Sequence, residues 1–174
     1  MQAVGIPGPQ FDSAKFNWVG SIMSTVETMA LWHTSGVKTI EDAKKLPTAV
    51  AAAGQGNLSE TIPMLLNEVI GTKFNIIRGY PGVSEGMVAM ERGELQGACG
   101  ITTTSFRSVL EPQAKAGKVF IAAQAGGRKD PRFPDIPNML DFAKTPEDKQ
   151  LLGLYASGGA IGRAFFGPPE IPPQ

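Results

Sequence analysis

The stretch GQGN, Gly54 to Asn57, lies between the small apolar run TAVAAA and a set of apolar residues spaced for a helix. Glycines at a strand-to-helix junction leave backbone N–H groups uncovered beside the positive end of a helix, an arrangement that suits an anion. The same residues also suit a plain turn, with Asn57 as N-cap and Glu60 as its capping-box partner. Two further junctions share the character of GQGN. GYPG follows Arg78 and contains Tyr80, Pro81 and Gly82, and GITTTS follows Cys99 and contains Thr102 and Thr103. All three are rich in glycine and hydroxyl groups and poor in charge. Neutral N–H and O–H donors of this kind hold a carboxylate well, each bond to an ionised group contributing roughly 1.5–3 kcal/mol. They suit catalysis less well. Thr102 to Ser105 carry the competing reading of a helix cap, and Tyr80 that of a half-buried core aromatic.

The remaining reactive residues are few. Cys99 and His33 are the only thiol and imidazole in the chain, and a nucleophile made from them needs hydrogen-bonding contact and a third, orienting group. Cys99 lies among small residues at a strand end and reads as a buried, inert thiol; His33 reads as a structural hydrogen-bonder. Glu91 and Glu94 flank a turn glycine and read as solvated. GQGNLS lacks the GxxxxGK pattern of a phosphate loop, and Ser59 stands where a dinucleotide loop has its third glycine. One Cys and one His support neither an internal disulfide nor a zinc site, so no metal and no cofactor is expected. Sixteen Lys+Arg balance sixteen Asp+Glu, which leaves no electrostatic footprint for nucleic acid. No apolar run approaches the roughly 20 residues that span a bilayer, and the opening MQAVGIPGPQ has no basic-then-apolar export pattern.

The elements that must position these junctions alternate. FNWVGSI (Phe16 to Ile22) and TMALWH (Thr28 to His33) read as strands, and Thr39 with Asp42 reads as the capped start of a helix. TAVAAA (Thr48 to Ala53) is a strand of small residues. Ile62, Leu65, Leu66, Val69 and Ile70 then form one apolar helix face ending at Gly71, although Pro63 requires either a kink or a start near Thr61. Lys73 to Gly79, Leu95 to Gly100 and Lys118 to Gln124 read as further strands, with Val83, Met87 and Met90 on an intervening helix. A Pro-rich loop, helices near Met139 to Ala143 and Pro146 to Tyr155, and an extended GRAFFGPPEIPP complete the chain. This alternation over 174 residues predicts a single α/β domain with an open, mostly parallel sheet flanked by helices. Ligands of such sheets collect at the carboxyl ends of the strands, where the three junctions fall.

KFNWVGSI, LWHTSGVKTIEDAKK, IGTKFNIIRGYPG, AMERGELQGACG, FPDIPNMLDFAKT and GRAFFGPPEIP resemble, in this order, the periplasmic solute receptors of tripartite tricarboxylate transporters, the Bug receptors. The resemblance implies one lobe of a type II periplasmic-binding-protein-like fold, with residues 1–27 and 158–174 near the crossovers to a second lobe. It implies a small carboxylated solute, membrane components of the transporter as partners, a periplasmic location and no catalysed reaction. The family's carboxylate loop falls on Gly54, Gln55, Gly56, Asn57 and Ser59, its Tyr-Pro-Gly turn on Tyr80, Pro81 and Gly82, and a third cleft segment on Thr102 and Thr103. Many relatives carry a Gly-Pro-Gly-Ser type loop where this chain has GQGN, so Gln55 adds a side-chain amide. The segment AMERGELQGACG also resembles ligand-sensing lobes of bacterial transcription regulators. That alternative stays open here, as does a small enzyme using Cys99 and His33.

Overall fold

The computed structural model describes residues 10–170. The expectations for the opening segment and for the last residues of the extended piece lie outside the described residues where they fall on 1–9 and 171–174. Five strands form the main sheet: β2 (Glu27–Trp32), β3 (Thr48–Ala52), β4 (Phe74–Arg78), β5 (Gly97–Thr102) and β6 (Val119–Ala125), in the order β4-β3-β5-β2-β6. β4, β3 and β5 pair in parallel, and β2 runs antiparallel to both β5 and β6. The sheet is therefore mostly parallel, as the alternation predicts, with β2 inserted against the grain. One consequence matters for function. The carboxyl ends of β3, β4, β5 and β6 and the start of β2 all meet at one edge, where Glu27 is the register partner of both Thr102 and Ala125.

Helices cover both faces. α1 (Ile40–Ala43) is a single turn held by the predicted capping box, in which Thr39 Oγ1 accepts from the Asp42 amide and Asp42 accepts from the Thr39 amide. α2 (Leu58–Ile70) buries Ile62, Leu65, Leu66 and Ile70 against one face, and Gly71 ends it in the left-handed conformation. It starts at Leu58, earlier than the Thr61 alternative, and carries Pro63 internally. α3 (Val83–Glu91) lays Met87 and Met90 on the opposite face. The chain after β5 continues through α4 (Thr103–Ser105), a π turn over Phe106–Leu110 and α5 (Glu111–Lys115), with Phe106 and Leu110 buried.

Two expectations change. α6 runs Pro146–Ile161, well beyond Tyr155, through glycines that each cost a helix about 1 kcal/mol. Packing explains the extension: a Cβ at Gly159 would lie 2.4 Å from the Thr25 carbonyl oxygen, and the Thr25 amide donates to the Gly159 carbonyl at 2.8 Å. The strand read at Phe16 to Ile22 does form, as β1 (Asn17–Ser21), but outside the main sheet. It pairs antiparallel with β7 (Ala164–Gly167) in a separate two-stranded ribbon.

Candidate functional site

At the carboxyl edge of the sheet a cavity of about 370 Å³ opens among three segments: Ser24 to Val26 leading into β2, Thr102 to Ser105 leaving β5, and Arg128 to Arg132 beyond β6, with Arg163 at the rim. Each segment is fixed by bonds that follow from its sequence. Thr102 Oγ1 accepts from the Ser105 amide at 3.1 Å and donates to Ser105 Oγ at 2.9 Å, while the Thr103 amide donates to the Val26 carbonyl at 2.9 Å. The loop GGRKDPR is held from beneath by Gln124, which is fully buried. Its Nε2 donates to the carbonyls of Phe133 (2.7 Å) and Ile136 (3.1 Å), and its Oε1 accepts from the Asp130 amide at 2.8 Å.

The charge in this cavity is mainly positive: Arg128, Lys129, Arg132 and Arg163 face one acid, Asp130. Arg132 Nε donates to Asp130 Oδ1 at 2.8 Å, its Nη2 also pairs with Asp130 Oδ2, and Nη2 donates to Thr103 Oγ1 at 2.9 Å. The Arg132 hydrogen bonds hold the Asp130 carboxyl well below the usual carboxylate range. Arg128 donates to Ser24 Oγ at 3.2 Å, and Lys129 pairs with Asp141 at 3.0 Å. Hydroxyls and guanidinium groups around one concavity are the chemistry of an anion site. Beside it lies Glu27, 8% exposed, with its Oε2 buried and without a hydrogen-bond partner. Burial pushes the Glu27 carboxyl up to about 7, against an opposing pull from Arg163.

Thr102 and Thr103 thus line the cavity, whereas the other two predicted groups lie elsewhere along the same edge. In the GQGN junction the amides turn inward. Gly56 N–H donates to Glu60 Oε2 at 3.1 Å, Asn57 N–H donates to the Gly54 carbonyl at 3.1 Å, and Ser59 N–H donates to Asn57 Oδ1 at 3.0 Å. Glu60 Oε1 also accepts from Arg78 Nε at 2.6 Å. An internal carboxylate, Glu60, therefore sits against the Gly56 amide of this junction. The capping reading is corrected in one detail: Asn57 caps as expected, but Glu60 bonds to Gly56 rather than to the Asn57 amide. Gly54 and Gln55 border the turn, and Gln55 is exposed. Tyr80 packs partly on the second core cluster and walls a separate shallow cavity with Ser84, Glu85 and Arg92. Pro81 is exposed, and Gly82 precedes α3, where a Cβ would meet Glu85 Oε2 at 2.8 Å.

Cys99 and His33 do not come together. Met29 is the register partner of Cys99, and His33 lies four residues further along, about 13 Å away at strand rise. Cys99 is buried, and burial pushes its thiol far above the ordinary range, so it is not a thiolate nucleophile. Glu91 and Glu94 are exposed. Of the residues that sequence reasoning missed, Glu27, Arg128, Arg132 and Arg163, only Arg128 and Arg132 had a legible signal. GGRKDPR follows β6 as GQGN follows β3, and the rule that ligands gather at carboxyl strand ends applies to it equally.

Several solved structures share this architecture. A TctC solute-binding protein from Polaromonas superposes with a TM-score of 0.61 at 13% identity, over 93% of this chain and 65% of its own. The periplasmic binding protein BugD gives 0.62 at 21% identity, over 90% and 49%. MatC from Rhodopseudomonas palustris, with bound malate, gives 0.62 at 19% identity, over 96% and 54%. The chain shares the fold of these structures. It spans about half to two thirds of the length of these neighbours. No protein-family profile and no curated protein matches the sequence.

Proposed function

We propose that this chain is a ligand-holding lobe of an extracytoplasmic solute receptor for a small carboxylated molecule, serving membrane components of a tripartite tricarboxylate-type transporter. The observation that carries this reading is the hydroxyl-lined, net-cationic cavity at the carboxyl edge of the sheet, formed by Thr102 to Ser105, Arg128, Arg132 and Arg163. The fold likeness supports it, and one neighbour of the same architecture holds malate. A periplasmic location accords with the fold. No helix among the described residues is long and apolar enough to cross a membrane. Thr102 and Thr103 contact the solute in this reading, while the Gly54 to Ser59 and Tyr80 to Gly82 segments form the neighbouring rim. An enzyme reading lacks support, since the one thiol–imidazole pair is separated.

An amide-resolved NMR titration of the 15N-labelled chain with malate tests the proposal. Malate should shift Thr102 to Ser105 and Arg128 to Arg132 with a millimolar dissociation constant, and the uncharged dimethyl ester should leave them in place. Shifts elsewhere only, or equal shifts with the ester, would overturn it.

A further inference from the structure

Most of the cavity's cations are already engaged: Arg128 with Ser24, Lys129 with Asp141, Arg132 with Asp130 and Thr103. Arg163 differs. None of the ion pairs among the described residues uses it, yet its backbone is held firmly. Its amide donates to the Met23 carbonyl at 3.1 Å, and its carbonyl accepts from the Ile22 amide at 3.1 Å. The preceding Gly162 has φ +55°, and a Cβ there would lie 2.0 Å from the Met23 oxygen, so this turn admits only glycine. The molecule thus fixes the root of a guanidinium at the cavity rim and leaves its head without a carboxylate.

The buried acid beside this cavity is Glu27. Its neighbour Val26 and its register partner Thr102 both line the cavity, and its Oε2 is buried and unpartnered. The titratable group that acts on it is Arg163 from the α6–β7 turn, while Glu27 itself helps to raise the neutral Cys99 thiol on β5; β6 places Ala125 beside it, and Glu60 on α2 is taken by Arg78. A buried carboxyl without donors favours its neutral form, and in that form it makes no claim on Arg163.

We propose that Arg163 is the solute-binding cation of this cavity and that Glu27 is its positioning partner, so that where Glu27 is ionised, binding of the anion is accompanied by uptake of one proton from solvent onto its carboxylate. Ionised Glu27 holds Arg163 back; neutral Glu27 releases it to the solute. The inference rests on the solute-binding reading above and adds its regulation. The Glu27 carboxyl, raised to about 7, titrates across the range in which such a coupling would be felt. Linkage then requires affinity to fall as pH rises through that range, by at most tenfold per unit for one proton.

The test is the malate titration repeated from pH 6 to 8.5, where malate keeps both charges because carboxyl groups ionise near pH 4. Wild type should bind roughly tenfold more weakly at pH 8.5 than at pH 6. Glu27→Gln, an isosteric neutral side chain, should bind at pH 8.5 as wild type does at pH 6, with a flat profile. Arg163→Gln should bind at least tenfold more weakly at pH 6 and lose the pH dependence, and Arg163→Lys should restore both. Amide spectra of each variant verify folding. Binding at Thr102 to Ser105 with a flat wild-type profile, or an unchanged profile in Glu27→Gln, would overturn this inference and leave the solute-binding reading standing. No binding at any pH would overturn both.

Discussion

Glu27 and Cys99 show how one buried side chain sets measurable behaviour. Glu27 ionises near 4.5 when unfolded and near 7 when folded, so between those values the native state holds the extra proton. Stability from this group is therefore complete below about pH 4.5 and is lost as pH rises to 7, by roughly 3 kcal/mol. Urea unfolding at pH 5 and pH 8 should show that decline in wild type and a much smaller one in Glu27→Gln. Asp130 has the opposite sign: its carboxyl is held low by Arg132, so its contribution is present at neutral pH and lost as pH falls below 3.8. For Cys99, buried and with a raised thiol, iodoacetamide should label the folded chain at pH 7.5 no faster than global unfolding exposes it. Cys99→Ala should cost about 1–2 kcal/mol by urea unfolding.

Among the elements, the junction of β5 with α2 is closely packed. Gly100 has φ +75°, and a Cβ there would lie 2.8 Å from the Ser59 amide nitrogen, while the strand register skips a residue at this point. Gly100→Ala should cost about 2–4 kcal/mol, combining left-handed strain with overpacking. Gly127→Ala, with open space around its Cβ, should be near neutral; thermal unfolding of the two variants distinguishes them. The β1–β7 ribbon behaves differently because it lies outside both core clusters. Phe166 stacks on Phe16 at 4.8 Å and meets Trp18 at 5.2 Å, pairs that contribute about 0.5–1.5 kcal/mol each. Phe166→Ala should alter Trp18 fluorescence and speed amide exchange in β1 and β7 while barely moving the global transition, because a two-stranded ribbon is only marginally coupled to the core.

On the scale of the whole molecule, the cavity is open on one side, and water weakens every polar contact in it. Isothermal titration with di- and tricarboxylates should therefore give no micromolar affinity; a micromolar binder would show that this chain alone completes the site. Much of this architecture was legible in the sequence. The apolar spacing of Ile62, Leu65, Leu66 and Ile70, the Thr39–Asp42 box and the strand-to-helix alternation are local patterns, imposed by the 3.6-residue helical repeat and by backbone hydrogen bonding within a few residues. They determined the element types and the α/β class, and they placed three junctions at the edge where ligands gather. What they left undecided is everything that depends on which segments meet. The antiparallel setting of β2 is fixed by register partners some seventy to one hundred residues away, and Thr25 packs against Gly159 of α6. GQGN is bonded to Glu60, which Arg78 from β4 engages in turn. The cationic cavity itself joins Ser24, Thr102, Arg128 and Arg163, residues with no common spacing in the chain. Periodicity records how a segment buries its own face, whereas a site made by loops from separate strands exists only once the sheet order has put their ends side by side.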